Sequence, residues 1–319
     1  MQRKHTVSGV APPLLERRQL LAGGVGALLS LALPNIGAAA SGASTSRLGD
    51  RLAVITGAGG NVLVLNADDG LLLVDSGGPR YTEALLRQLR GLGAGGHVHT
   101  LFNTHWHADH TGSNEALARA GARIVAHEKT RLWLATDHWV PGEERFEKAR
   151  RKEALPTETF YTQGTTTFGG ERIEFGYLLE AHTDADIYVF FRDSNVLAVG
   201  GAVAAQGQDP ELDWYGGGWL GGRLDAQALL LQISNDATQI VPAYGPALTR
   251  TQLKSELEML TLLFDRIVEQ IRRGDGAQDM LNAGILNGLN RTWNDPAKFL
   301  YAAHKGFWAH HNTLTHDIV

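Results

Sequence analysis

Residues 104–112 read Thr-His-Trp-His-Ala-Asp-His-Thr-Gly, which puts His105, His107, Asp109 and His110 within six residues. Imidazole nitrogens and carboxylate oxygens are the ligands that zinc and its neighbours take in hydrolytic sites. In an extended segment, the His105-x-His107 spacing turns both rings to one side. A loop that then folds back brings Asp109 and His110 around a second position. The run just upstream, residues 97–103, is rich in β-formers and predicts a strand ending at the motif.

The pattern His-x-His-x-Asp-His, closed by Thr-Gly, resembles the signature of the metallo-β-lactamase superfamily. Further segments resemble that family in the same order. Residues 60–65 and 71–77 look like its opening hairpin and Asp-x-Gly turn. Residues 180–186 look like the loop of its third histidine, here His182. Residues 195–201 look like the strand that normally ends in Gly-Asp, and residues 242–246 like its Pro-Gly-His-Gly-Pro turn. The resemblance covers residues 51–250. It implies an α/β fold, a four-layered αβ/βα sandwich, to which the sequence adds a helical C-terminal extension. Two departures stand out: Gly201 replaces the usual metal-bridging Asp, and Tyr244 replaces the last histidine ligand.

The resemblance implies metal ligands at His105, His107 and His182, with Asp109 and His110 left at the second position. Three histidines plus a water is the open arrangement of a catalytic zinc, whereas two protein ligands are too few to hold an ion tightly. One Zn2+ is therefore expected, the second site being degenerate at Gly201 and Tyr244. Such an ion acidifies its water from 15.7 toward about 7, and the hydroxide attacks an ester, thioester, lactam or related bond. Asp109 is expected to orient that water and take its proton, with His110 as a second base or weak ligand. A phenol with a pKa near 10 is a poor ligand, so Tyr244 is expected to donate to a developing oxyanion. Asp75 is expected to support the metal loop. The competing reading is a catalytically retired member that binds metal or ligand without turnover. The fold does not choose a substrate beyond a small molecule.

The chain has no cysteine, which excludes disulfides, Cys-ligated zinc and a thiol nucleophile. Its N-terminus resembles a twin-arginine export signal: Arg17 and Arg18 precede a short apolar run, and Ala38, Ala39 and Ala40 offer a cleavage site. The expected division is a signal peptide at 1–40, the main domain at 41–250 and the extension at 251–319. The implied partner is the export machinery, with no stable membrane span after cleavage and a periplasmic or secreted product. Removing Arg3, Lys4, Arg17, Arg18 and Glu16 from 29 basic and 34 acidic residues leaves 25 against 33, a net charge of −8. That balance gives no electrostatic footprint for nucleic acid.

The elements that must position the motif follow from periodicity. Strands are predicted in residues 52–75, a helix in 80–92, a helix at 114–119 and a strand at 123–126, an alternation that means a layered α/β fold. Residues 128–153, with Trp133, Trp139 and Phe146, predict a helical insertion bordering the site or a surface helical hairpin. Lys148, Arg150, Arg151 and Lys152 are expected on its solvated helix face. Further strands are predicted at 172–175, 177–181, 187–191, 196–199 and 238–241, and a helix at 224–233. The Gly-rich loop 207–222, with Trp214, Tyr215 and Trp219, suggests a partly apolar pocket wall. Leu253, Leu257, Leu260, Phe264, Ile267 and Ile271 form an apolar helical stripe. His304, His310, His311 and His316 are expected to be surface or packing residues.

Overall fold

The computed structural model describes residues 42–141 and 144–314, so the export segment and His316 lie outside the described residues. Strands β1 (Ser44–Arg47), β2 (Leu52–Ala58), β3 (Gly60–Ala67) and β4 (Gly70–Val74) form an antiparallel meander. Parallel pairing then extends the sheet from β4 to β5 (Val98–Phe102) and on to β6 (Arg123–His127). A separate hairpin, β7 (His138–Val140) with β8 (Arg145–Glu147), precedes β9 (Glu158–Phe160), which joins β6 in parallel. The second sheet comprises β10 (Gln163–Phe168), β11 (Glu171–Tyr177), β12 (Ile187–Phe191) and β13 (Val196–Gly200), all antiparallel. Its last strand, β14 (Gln239–Pro242), runs parallel to β13.

Helices α1 (Thr82–Arg90), α2 (Ala108–Thr111), α3 (Asn114–Arg119) and α4 (Glu128–Ala135) belong to the first half. Helix α5 (Leu220–Ile233) links β13 to β14. The C-terminal part holds α6 (Arg250–Arg272), α7 (Ala277–Asn282) and α8 (Pro296–Leu314).

The near-continuous apolar strings of β3 and β4 are explained by burial on both faces. Successive residues alternate sides. Leu63, Leu65, Leu72 and Val74 pack against Ile173, Phe175, Val189 and Phe191 of the second sheet. Val62, Val64, Leu71 and Leu73 face Leu85 and Leu89 of α1 and Leu117 of α3. Beyond the second sheet, Phe190, Leu197 and Val199 meet Ala226 and Leu230 of α5 and Leu253 of α6. The layers therefore run helix, sheet, sheet, helix, the four-layered αβ/βα sandwich.

A capping box starts α6: Thr249 Oγ1 accepts from the Gln252 amide, and the Gln252 side chain accepts from the Thr249 amide. Leu260, Leu263 and Ile267 pack with Met280, Phe299 and Leu300 and with Leu212 and Leu220 beside the site. The buried line of α6 is Leu253, Glu256, Leu260, Leu263 and Ile267. The predicted stripe is thus turned slightly, leaving Leu257, Phe264 and Ile271 only part-buried.

The helix predicted across 128–153 stops at Ala135. The aromatic and β-branched residues after it instead form β7, where Trp139 lies opposite Phe146 of β8. The basic cluster is accordingly not on a helix face. Lys148 pairs with Asp137, Arg150 with Glu147 and Arg151 with Glu115. The strand predicted at 177–181 is also absent, because β11 ends at Tyr177 and residues 178–186 form the loop that holds His182.

Candidate metal centre

The site residues sit where strands end. Asp75 follows β4 and residues 103–107 follow β5, at the carboxyl ends of two adjacent parallel strands. Ligand crevices of α/β sheets open at such ends. Gly201 and Tyr244 follow β13 and β14, the parallel pair of the second sheet. The 178–186 loop brings in His182.

One donor nitrogen each from His105, His107 and His182 lies within 4.8 Å of the others. Their outer nitrogens are all engaged. His107 Nε2 donates to Asp213 Oδ2 at 2.8 Å, and His182 Nδ1 donates to the Glu211 carbonyl at 2.9 Å. Thr104 Oγ1 donates to Asp75 Oδ2 at 2.8 Å, so it accepts from His105 Nδ1 at 3.0 Å. Asp75 Oδ1 also receives the Thr104 amide at 2.7 Å, fixing the start of the motif. A hydrogen bond at one ring nitrogen sets the tautomer and leaves the other as a lone pair. His182 Nε2 and His107 Nδ1 then face each other at 3.2 Å, and His105 Nε2 is buried without a hydrogen-bond partner. Lone pairs set this close repel unless a proton or a cation lies between them, so this donor set fits a zinc-like ion.

Burial, with His110, His107 and His182 nearby, holds His105 well below the usual histidine range and keeps it neutral. Burial and then His107 lower His182. Burial opposes charge on His107 too, but the hydrogen bond and charge of Asp213 outweigh it and raise that ring. Glu211, despite its burial, is drawn down to about 2 by His182, Lys298 and His107.

Asp109 and His110 stand beside this donor set rather than in it. His110 Nδ1 donates to Asp75 Oδ2 at 2.8 Å, and its Nε2 lies 3.5 Å from Asp109 Oδ2. Burial resists its charge, yet Asp75 and then Asp109 raise this ring. With Nδ1 bonded to Asp75 and Nε2 turned to Asp109, His110 is not among the three converging donors. The Tyr244 hydroxyl donates to Asp109 Oδ2, so it has a partner other than the oxyanion expected of it. At Gly201, a Cβ would stand 2.5 Å from His182 Cγ and closer to Cδ2. The backbone here excludes a side chain while His182 keeps its place.

Sequence reasoning missed the groups behind this centre. Asp213 is 106 residues from His107, and its amide also donates to the His182 carbonyl at 2.9 Å. It is one of three acids, with Asp209 and Glu211, in the Gly-rich and aromatic loop, and nothing local marks it out. Arg223 of α5, fully buried, donates to the carbonyls of Gly201 at 2.9 Å and Glu211 at 3.1 Å. Glu256 of α6 pairs with Arg223 at 3.4 Å and accepts the Ala204 amide at 3.1 Å. The C-terminal extension thereby fastens the 201–211 segment, whose Glu211 carbonyl accepts from His182. A cavity of about 510 Å³ opens beside His107 and Asp109. A smaller one, about 100 Å³, is lined by His105, His182 and Tyr244. Asp109 lines both.

Among solved structures the chain is similar to a metallo-beta-lactamase from Pontibacter korlensis, at 23% identity and a TM-score of 0.55, covering 69% of this chain and 99% of that one. It is similar to the metallo-beta-lactamase DIM-1 at 19% identity and a TM-score of 0.55, covering 69% and 97%. It is also similar to the inverting sec-alkylsulfatase Pisa1 from Pseudomonas sp. at 14% identity and a TM-score of 0.61, covering 87% of this chain and 52% of that one. No curated protein matches the chain. The Metallo-beta-lactamase superfamily matches residues 55–245, more than half of the chain, and the chain belongs to that superfamily.

Proposed function

We propose that the protein is a metal-dependent hydrolase of small molecules that holds one zinc ion on His105, His107 and His182. The bond cleaved is an ester, thioester, lactam or related bond. The observation that carries this reading is the convergence of three imidazole lone pairs whose outer nitrogens are all engaged. Similar structures include metallo-beta-lactamases and a sec-alkylsulfatase, which supports hydrolysis as the reaction type.

When bound there, zinc supplies a Lewis acid and lowers the pKa of water toward about 7. The remaining work falls to the chain. Asp109, with its side chain 38% exposed, is reachable by water and by substrate. Its carboxylate takes the proton of the attacking water. Tyr244 occupies Oδ2, which leaves Oδ1 to accept that proton. His110, held by Asp75, faces Asp109 Oδ2 and aims it. Asp213, Glu211 and Thr104 hold the three ligand rings in their tautomers.

A panel of esters, lactams and thioesters tests the reading. Turnover that a chelator abolishes and zinc restores is the expected result. One bound zinc per chain with no turnover across the panel would instead mark a retired, binding-only member.

Export by a twin-arginine route to the periplasm or beyond belongs to the same proposal, from Arg17, Arg18 and the run ending at Ala40. Among the described residues no helix is long and apolar enough to cross a membrane. Lysine at positions 17 and 18 should leave the precursor in the cytoplasm, and unaffected export would overturn the twin-arginine route.

A further inference from the structure

The larger cavity carries two features that the hydrolytic chemistry does not use. The first is a row of rings. Trp106 and Trp133 stack at 4.5 Å with planes 11° apart. Tyr215 sets its edge to both, at 6.3 and 6.4 Å. Trp214 continues the row from Tyr215 to Tyr301, at 6.2 Å from each. The rings come from the metal loop, α4, the 207–219 loop and α8, and all five residues line the cavity. Trp106 is buried behind Trp133, whereas Trp133, Trp214 and Tyr215 are half-buried and Tyr301 is exposed, and such rings on a cavity wall are matched by a flat apolar ligand that leaves water favourably and stacks or sets edges against them.

The second feature is charge from the β7–β8 segment. Arg145, Lys148 and Arg150 all line the cavity, and Glu147 is the carboxylate this segment sets among them. Glu147 pairs with both Arg145 and Arg150, the latter at 2.8 Å. Lys148 pairs at 2.7 Å with Asp137, which does not line the cavity. Partly exposed pairs of this kind hold weakly. An entering anion can therefore compete with these carboxylate partners for the cations of this segment, while Asp109, Glu211 and Asp213 line the same cavity. Asp109 lines both this cavity and the one around the histidines. A ligand that fills the larger cavity thus presents one end to Asp109 and the metal.

We propose, resting on the hydrolase reading above, that the substrate is an organic anion with a planar apolar frame. Its scissile bond lies beside Asp109, its frame runs along the rings from Trp133 to Tyr215 and Trp214, and its charged group is taken by Lys148 and Arg150. These two side chains are specificity determinants that leave the chemistry itself untouched.

Zinc-loaded protein titrated calorimetrically with 2-naphthoate and with 2-naphthalenemethanol tests this. The same titrations are run on the double variant Lys148→Gln, Arg150→Gln and on His182→Ala. The acid should bind about tenfold more tightly than the alcohol, the order of one charge-assisted contact. The double variant should bring the two to parity and leave the alcohol unchanged. The kcat/KM for 6-acetoxy-2-naphthoate should exceed that for 2-naphthyl acetate, again only with Lys148 and Arg150 present. Equal affinity for acid and alcohol overturns the proposal and leaves the hydrolase reading intact. An anion preference that survives the double variant and vanishes in His182→Ala places the carboxylate on the metal, and also overturns it. Naphthoate binding that requires Lys148 and Arg150, with no turnover of these esters or of the ester, lactam and thioester panel, upholds the anion site and removes the hydrolase reading instead.

Discussion

At the first metal position, three histidines point lone pairs at one another, and each outer nitrogen donates to a fixed acceptor. At the adjacent second position, the polar groups bond to one another instead. His110 lies between the carboxylates of Asp75 and Asp109, Tyr244 donates to Asp109, and Gly201 offers no side chain. The difference teaches that ligand competence depends on what remains after local hydrogen bonds are made. His105 and His110 are one residue type in one motif. Burial, with the other histidines, lowers His105, whereas Asp75 and Asp109 raise His110 against its own burial.

The largest effect that would break this contrast comes from His182→Ala. It leaves two histidines at the first position, too few for tight binding, so metal should be lost on dialysis and all metal-dependent turnover with it. Retention of a full equivalent by elemental analysis would mean that the second position holds the ion. Gly201→Asp probes the other side. A carboxylate at this position must displace the His182 ring, so the variant should lose first-site metal rather than gain a second ion.

Asp109→Asn separates chemistry from binding. The substitution keeps the shape and removes none of the three converging ligands, so metal content should hold while kcat falls by about 10²- to 10⁴-fold, the range of a positioned general base. Wild-type turnover in the loaded variant would move the base elsewhere, with His110 the next candidate. The smallest effect should come from Asp213→Asn, which weakens the acceptor that fixes His107. Zinc affinity should drop by about 10- to 100-fold, measured by competition with a chromophoric chelator, and an unchanged affinity would deny Asp213 that role.

The parts of this arrangement that were legible in the sequence are local ones. The six-residue motif, β5 ahead of it and the alternating strands β3 and β4 are short-range patterns. The departures at Gly201 and Tyr244 were readable because flanking residues fixed their place in the family pattern. The Tyr244–Asp109 bond was not readable, since it joins residues 135 apart. Asp213, Arg223 and Glu256 were hidden for the same reason: a lone acid or base in a loop or helix carries no trace of a partner far along the chain. The reading of residues 128–153 went wrong differently. Charges at helical spacing outweighed the β-branched and aromatic run 136–140 and the Pro141-Gly142 pair, which is a turn signal. β7 instead pairs with β8, and Lys148 and Arg150, which follow β8, line the cavity.

The central claim is that one position is competent and its neighbour is not. Elemental analysis of purified protein, paired with anomalous scattering at the zinc edge from crystals, tests it most directly. The account predicts about one ion per chain, within bonding distance of His105, His107 and His182. Two tightly held ions, or one ion bonded to Asp109 and His110, would contradict it.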